Sequence, residues 1–421
     1  MTTPPSTRRR IVVIGAGAAG TMAAIFAARG GAEVLLVERT RDGGRKILIS
    51  GGGRCNVLPL VLDETRFVTD SSVNTLRRMV RAWPLPEQRR FFEEDVGVPL
   101  SEEPALLKVF PTSHKARDVR DGLLALAVRE GVRLRMETRV RELVPVEGGW
   151  RVELADDLPV ECDAVILATG GLSVPATGSE GFGLATARAL GHTVHPTYAA
   201  LTPITDDSGA FSSLSGVSLT VTLTAKAGER TATHAGGFLF THRGYSGPAA
   251  LNVSHVVVRS RLEGGPHAKL TVRWSALGDA EWEAALKPNG ARTVLAAVRA
   301  QVPDRLATVL LGIAQLDPAR SLAELRREER RRLIDTLVRG ELPWSGDEGY
   351  KKAEVTGGGV SLAEVDPRTM ESRKAPGLFL CGEVLDAFGP IGGYNFLWSW
   401  ATGRAAGQGA AATVTASGTA G

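Results

Sequence analysis

Ile11-Val12-Val13-Ile14-Gly15-Ala16-Gly17-Ala18-Ala19-Gly20 is the stretch on which the fold turns. Four apolar, mostly β-branched residues without a polar interruption read as a parallel strand buried on both faces. The glycines follow in the pattern G-x-G-x-x-G. Gly15 permits a tight turn, Gly17 lets the backbone approach a pyrophosphate, and Gly20 lets a helix pack against the sheet. Residues 21–29 are alanine-rich and favour helix. The start of that helix offers unpaired N–H groups and the positive end of its dipole to phosphates.

Working outward, residues 33–37 form a second strand closed by Glu38, eighteen residues beyond Gly20. A carboxylate there accepts hydrogen bonds from an adenosine ribose and disfavours a 2′-phosphate. Strand, spacing, helix and acid together predict dinucleotide binding. FAD and NAD both use this fingerprint, so other segments must decide between them.

Three further glycine clusters bear on that choice. Gly43-Gly44-Arg45-Lys46-Ile47-Leu48-Ile49-Ser50-Gly51-Gly52-Gly53-Arg54-Cys55-Asn56 has bare backbone to pass a cofactor and three cations to neutralise a pyrophosphate. Ala168-Thr169-Gly170-Gly171 ends an apolar strand over 164–168, where cofactors sit in open α/β sheets. Gly382-Glu383 follows a strand over 377–381, and Gly392-Gly393-Tyr394-Asn395 opens a last helix over 395–412. An acid at a strand end can hold ribityl hydroxyls. A helix start aimed at the flavin pyrimidine stabilises negative charge on the reduced ring. Each cluster alone reads equally as a turn; an NAD dehydrogenase has no need of the last two.

Between these blocks the texture changes. Helices are expected over 73–95 (broken at Pro84 and Pro86), 119–129 and 182–190, and strands over 133–146 and 150–154. After about Pro196, residues 214–225 alternate apolar with Ser and Thr, the period of a half-exposed antiparallel strand. Segments 238–241 and 269–274 continue it, residues 280–339 are helical, and glycine-rich α/β texture returns near Lys351. The expected fold is a Rossmann-like, doubly wound α/β domain of residues 1–195 and 351–421. It is interrupted by an antiparallel insert of 196–279 with 340–350 and a helical insert of 280–339. The insert is expected to cover the flavin ring and supply the substrate pocket.

With 421 residues, 43% hydrophobic and 23% charged, the chain has globular composition. No apolar run is long enough to span a membrane. A net charge of +4 is small for this length and gives little reason to expect nucleic acid. Cys55, Cys162 and Cys381 are too scattered for a disulfide framework, a zinc site or flavin–disulfide exchange, and a reducing cytoplasm fits them. Arg8-Arg9-Arg10 before an apolar run imitates a twin-arginine export signal, but that run is already the first strand. The polar start and the small, polar stretch from Thr413 read as loose tails. No His, Asp or Glu cluster has metal-ligand spacing.

With these segments in view, the chain resembles the bacterial FAD flavoproteins that include aminoacetone oxidase and a bile-acid dehydro-reductase. The resemblance rests on residues 44–56, Val109-Phe110-Pro111 with Ser113 and Lys115, residues 169–183, 240–248, 355–360 and 382–395. It implies a glutathione-reductase-like FAD domain with a β-barrel insert and a small helical insert. It places FAD contacts on Gly15, Ala16, Gly17, Ala18, Ala19, Gly20, Glu38, Arg45, Lys46, Gly53 and Asn56. Val140 would meet adenine through its backbone, and Gly382, Glu383, Gly393, Tyr394 and Asn395 would lie near the flavin. Segment 57–82 and the helical insert align poorly, which leaves the substrate open.

Other candidates are weaker. His242, Tyr245 and Ser246 could touch substrate, but a turn whose Ser246 caps a helix from Pro248 explains them better. His114 and Lys115 read as a surface loop. Arg326, Arg327, Arg330, Arg331 and Arg332 could meet RNA, yet Glu324, Glu328, Glu329 and Asp335 interleave with them as an ion-paired helix face. The expectation is therefore an FAD oxidoreductase for a small organic substrate, by hydride transfer through bound flavin. It works either as an amine-type oxidase or as a reductase with NAD(P)H as transient donor, since no second G-x-G-x-x-G unit lies between 160 and 350. A flavin-containing nucleic-acid binding or modifying protein, using the arginine-rich helical insert, is the alternative. Catalytic residues and oligomeric state are not legible.

Overall fold

A computed structural model describes residues 8–288 and 292–412. The expectations for residues 1–7 and 413–421 lie outside the described residues. The first strand, Arg10–Ile14, sits at the centre of a five-stranded sheet, between Ala164–Leu167 and Glu33–Val37; Leu378–Leu380 and Arg133–Arg135 form its edges. All four pairings are parallel, with Val12 opposite both Val165 and Leu35. Residues 11–13 and 164–167 are buried, which is why they carry no polar side chain.

The helix Ala18–Arg29 follows the first strand, and the last helix, Tyr394–Ala412, packs on it. Small residues set that approach. A Cβ on Gly403 would lie 2.4 Å from the Ala19 carbonyl oxygen, and one on Gly407 would lie 2.2 Å from that of Ala23. A side chain at either place would force the helices apart. Beside the parallel sheet, Val140–Val146, Gly149–Leu154 and Val160–Cys162 form an antiparallel sheet.

The described chain divides into two compact units, residues up to 197 with those from 355, and residues 198–354. In the second, the alternating segment forms one seven-stranded antiparallel sheet. Its long hairpin, Ser218–Ala227 with Arg230–Thr241, buries Val221, Leu223 and Ala225 while the residues between them stay half-exposed. Phe211, Phe238, Phe240, Tyr245 and Trp274 make an aromatic core of their own, with Phe240 stacked on Trp274 at 5.8 Å.

Several local expectations need correction. Residues 133–146 are two strands, because the Glu137 and Thr138 N–H groups turn aside to the carbonyls of Thr40 and Glu38 at 3.1 and 2.9 Å. The break before residue 85 falls at Pro84 alone; Pro86 sits inside the first turn of Leu85–Arg90, where its missing N–H costs nothing. The helix at Pro248 is capped by Gly247 rather than Ser246. Gly247 has φ +87°, and its Cα lies so close to Gly237 that a Cβ would be 2.7 Å from that carbonyl oxygen. On Arg327–Arg339, the Asp335–Arg339 pair runs along the helix at 2.6 Å, but Arg330 reaches Glu283 and Glu329 holds Arg320.

One ion-paired cluster ties the returning chain to residues 192–193, earlier in the same unit. The Glu364 carboxylate accepts from the Thr193 N–H and hydroxyl and from Lys374, each at 2.8 Å. Burial pushes this carboxyl up, but the bonds from Lys374 and Thr193 outweigh it and hold its pKa at about 2 against an ordinary 4.5. His192 touches it at 3.1 Å as a neutral ring, because burial lowers the imidazole more than Glu364 raises it. The ionised Glu364 therefore stabilises the fold, by about 1 kcal/mol once solvent screening of its bond to the exposed Lys374 is allowed for. That contribution is complete above pH 4.5 and disappears as pH falls towards 2. Glu364→Gln is expected to lose most of it at pH 7 and much less near pH 3, as read by urea unfolding at both pH values. A loss of the same size at both would contradict this origin.

Candidate functional site

The phosphate loop forms as the glycine pattern requires. Gly15 has φ +100°, and a Cβ there would lie 2.6 Å from the Ala168 carbonyl oxygen. Gly17 is the N-cap of Ala18–Arg29, with no side-chain cap and no acid in the first turn. The orphan N–H groups of the helix start are thus left for an anion. A Cβ on Gly17 would meet nothing within 4 Å, so bare backbone faces open space. Ala16, Ala18 and Ala19 complete the turn, and Gly20 packs against Gly15.

Glu38 follows the strand Glu33–Val37 and is 9% exposed. Its Oε2 accepts from the Ala16 N–H at 2.9 Å, and its Oε1 from the Thr40 N–H and hydroxyl at 2.8 and 2.7 Å. It fixes the phosphate loop from below. A carboxylate has about four acceptor sites, so these three bonds leave one unused. The Glu38 carbonyl takes the Thr138 N–H, which brings Val140 alongside.

The glycine-rich 43–56 segment lies on the same loop. The Gly44 N–H donates to the Ala16 carbonyl at 2.8 Å, and a Cβ on Gly43 would be 2.8 Å from Ala16. Its cations, however, already have acidic partners: Arg45 with Asp42 at 2.8 Å, Arg54 with Glu103 at 2.9 Å, and Lys46 with Glu383 at 2.6 Å. Gly53, at φ +85°, leaves open backbone, and Asn56 holds its Oδ1 buried with no hydrogen-bond partner. A buried acceptor without a donor fits a ligand that brings one.

Lys46 and Glu383 sit in a network joining four distant segments. Lys46 Nζ also donates to the Ser173 hydroxyl at 2.6 Å. Glu383 Oε1 accepts from the Ser173 hydroxyl at 2.8 Å and the Thr356 N–H at 3.0 Å. Thr356 Oγ1 in turn accepts from the Leu172 and Ser173 N–H groups at 2.7 and 3.1 Å. Ser173 and Thr356 carried no signal of their own in the sequence beyond lying in glycine-rich runs. Thr169 Oγ1 takes the Gly183 N–H at 3.1 Å, and Gly170 turns with φ +71°. Gly382, at φ +77°, is wedged between the first and last helices: its N–H donates to Thr402 Oγ1 and its carbonyl accepts from Trp398 Nε1, both at 3.0 Å.

The start of the last helix is braced rather than open. Gly393 approaches Leu58 so closely that a Cβ would be 2.3 Å from its carbonyl carbon. Asn395 folds back on Gly389 with two bonds, 2.8 Å to its N–H and 2.9 Å to its carbonyl. The Tyr394 side chain is buried, its hydroxyl donating to the Val61 carbonyl at 3.1 Å, so only its backbone belongs to the helix start.

Elsewhere, Tyr245 is buried with its hydroxyl on Asp206 at 3.2 Å, and His242 sits in an exposed turn. His114 is exposed, on the loop expected for it. All three cysteines are free and buried; burial pushes Cys55 and Cys162 up to about 12 and raises Cys381 too, so none is a reactive thiolate. No helix among the described residues is long and apolar enough to cross a membrane.

A parallel nucleotide-binding sheet, a phosphate loop with open glycine backbone, a terminal acid and an orphaned buried acceptor suit a dinucleotide, and the class they define is the FAD-dependent oxidoreductases. Residues 9–409 match the HI0933-like protein Rossmann domain, and the chain belongs to that family. It is 34% identical over 394 residues to a ribosomal RNA dihydrouridine synthase of Escherichia coli K12, covering 91% of this chain and 93% of that protein. It is 31% identical over 400 residues to a 3-dehydro-bile acid delta(4,6)-reductase of Clostridium scindens, covering 93% and 96%. Its fold is similar to that of the 3-ketosteroid delta1-dehydrogenase of Sterolibacterium denitrificans, with a TM-score of 0.52 over 97% of this chain and all of that one at 14% identity.

Proposed function

We propose that this protein reduces a carbon–carbon double bond conjugated to a carbonyl group, with FAD as resident cofactor and NAD(P)H as electron donor. One observation carries the reading: the two full-length relatives, at 34% and 31% identity, have names that describe saturation of such a bond, in a uracil ring and in a 3-oxo steroid. The first relative gives the nucleic-acid reading a place within the same chemistry. Nothing comparable favours an amine oxidase.

FAD bound here supplies the two-electron chemistry. The chain's own residues do the rest. The helix start from Gly17 to Gly20 binds the diphosphate, and the last acceptor site of Glu38 takes a ribose hydroxyl. Asn56 Oδ1 accepts from the cofactor. The Lys46–Glu383–Ser173–Thr356 network holds four segments in fixed register. Residues 1–195 with 351–421 are assigned to the cofactor, and the insert to substrate recognition.

The purified protein is expected to be yellow and to release FAD rather than FMN on denaturation. NADH or NADPH should bleach it anaerobically, and a 3-oxo-4,6-diene steroid or a uridine-containing ribosomal RNA fragment should restore the colour. Amines should not bleach the oxidised protein. Bleaching by amines, with neither acceptor reoxidising the flavin, would overturn the reading; release of FMN alone would overturn the role of Glu38.

A further inference from the structure

Asp386 is 2% exposed and no cation of Lys or Arg meets it among its described hydrogen bonds. Its Oδ2 accepts from the Ser71 hydroxyl at 2.8 Å, the Thr69 hydroxyl at 3.0 Å and the Asp70 N–H at 3.0 Å. The same oxygen faces His195 Nε2 at 3.7 Å, and Ser71 Oγ lies 3.4 Å from that nitrogen. Burial pushes the Asp386 carboxyl above its ordinary range, against the pull of the hydroxyls and of His195.

Serine, histidine and aspartate together suggest a nucleophile, but the wiring excludes it. Ser71 Oγ accepts the Leu362 N–H at 3.0 Å and gives its one proton to Asp386, so His195 does not act as its base. Nε2 of His195 instead faces two acceptors. A proton on that nitrogen suits both oxygens, and the ring is thereby held in place from one side. The ring is a quarter exposed.

The location matters as much as the wiring. Asp386 lies three residues beyond Glu383, and its N–H donates to the Val360 carbonyl at 2.9 Å. His195 lies on Val194–Ala200, which pairs with Val355–Val360, the strand that carries Thr356. Gly358 passes so near Pro196 that a Cβ would be 2.2 Å from its carbonyl oxygen. The histidine is therefore held between the two segments that carry the Glu383–Thr356 network. Charged groups on the elements packed here include Asp70, beside Asp386, Arg259 over the Tyr198 ring, and Glu364 with Lys374, which are engaged with His192 and Thr193.

We infer that His195 is the proton donor of the reaction, with Asp386 and Ser71 as its positioning residues. The inference rests on the FAD-dependent reduction proposed above. Saturating the double bond takes two electrons and two hydrogens. NAD(P)H gives a hydride equivalent and becomes NAD(P)+. The imidazolium of His195 gives the second hydrogen as a proton, becomes neutral, and regains a proton from water.

The test does not depend on knowing the substrate. The reduction potential of the bound flavin is measured from pH 5 to 9 in the wild type, His195→Gln and Asp386→Asn. A donor within reach of the reacting centre couples its charge to the flavin, so the wild-type curve bends where imidazoles titrate. His195→Gln should abolish the bend. Asp386→Asn, which removes the carboxylate 3.7 Å from that ring, should alter the bend without abolishing it. With either acceptor that works, His195→Gln should lower turnover by about 10²–10⁴ and leave FAD affinity unchanged. Identical curves in the wild type and His195→Gln would overturn the proposal. Should that variant fail to fold, the seven histidines of the wild type can be followed by NMR before and after dithionite reduction. One imidazole should titrate at higher pH in the reduced protein, and no shifted imidazole would overturn the proposal equally. A protein that binds no FAD would refute the cofactor reading instead.

Discussion

Gly20→Ala should give a protein that no longer retains FAD and melts several degrees lower. The added methyl carbon would lie 1.8 Å from the Gly15 carbonyl oxygen and 3.1 Å from the Ala168 side chain. The loop cannot yield alone. The Ala16 N–H is held by Glu38, and its carbonyl by the Gly44 N–H. Moving Gly15 therefore drags the second strand and the 43–56 segment with it. Overpacking of this kind costs about 3 kcal/mol, and the helix start loses its aim at the diphosphate, so FAD affinity should fall by more than about a hundredfold. Gly17→Ala is the control. Its methyl would meet no protein atom within 4 Å, and φ at Gly17 is −79°, which alanine accepts. That variant should fold with wild-type stability and still lose FAD, because the methyl stands where the phosphates pass. Thermal melts with flavin titrations separate the two effects. Full FAD affinity in Gly17→Ala would place the phosphates elsewhere.

Glu383→Ala should lose both stability and FAD. Its removal leaves the Lys46 ammonium without its 2.6 Å partner and the Thr356 N–H without its acceptor. Breaking a fully buried pair costs about 3–5 kcal/mol. Here the side chains are 25% and 16% exposed, so about 2 kcal/mol is the better expectation. FAD affinity should fall by about tenfold to a hundredfold, the equivalent of one charge-assisted hydrogen bond. Lys46→Met in the same background tells direct from indirect action. If the main cost of Glu383→Ala is a stranded cation, the double variant should be more stable than the single one. Additive losses would show that the two side chains act independently.

Much of the nucleotide-binding half was readable because its signals are local. Val12 and Val13 had to be apolar to be buried on both faces, and Gly15 and Gly20 had to lack a Cβ for the turn to close; both constraints are written in consecutive residues. The same holds for the alternation of Val221, Leu223 and Ala225 in the insert. Where neighbours from afar compete for the backbone, local reading went astray. Thr40 and Glu38 capture the N–H groups of Glu137 and Thr138 and cut one expected strand in two. Gly237 leaves room only for glycine before Pro248, so no serine caps that helix.

Sequence by itself determined the kind of site: a strand, a glycine turn, a helix start and a terminal acid, all within thirty residues and governed by backbone geometry. Only the tertiary structure decided what the charged side chains do. Arg45, Lys46 and Arg54 look available in the sequence, yet each is paired with an acid, Lys46 with one 337 residues away. Ser71, His195 and Asp386 meet although 124 and 315 residues separate Ser71 from the other two. A charge seeks its partner through space, and the order of residues along the chain does not record which distant segments the packing will bring into contact.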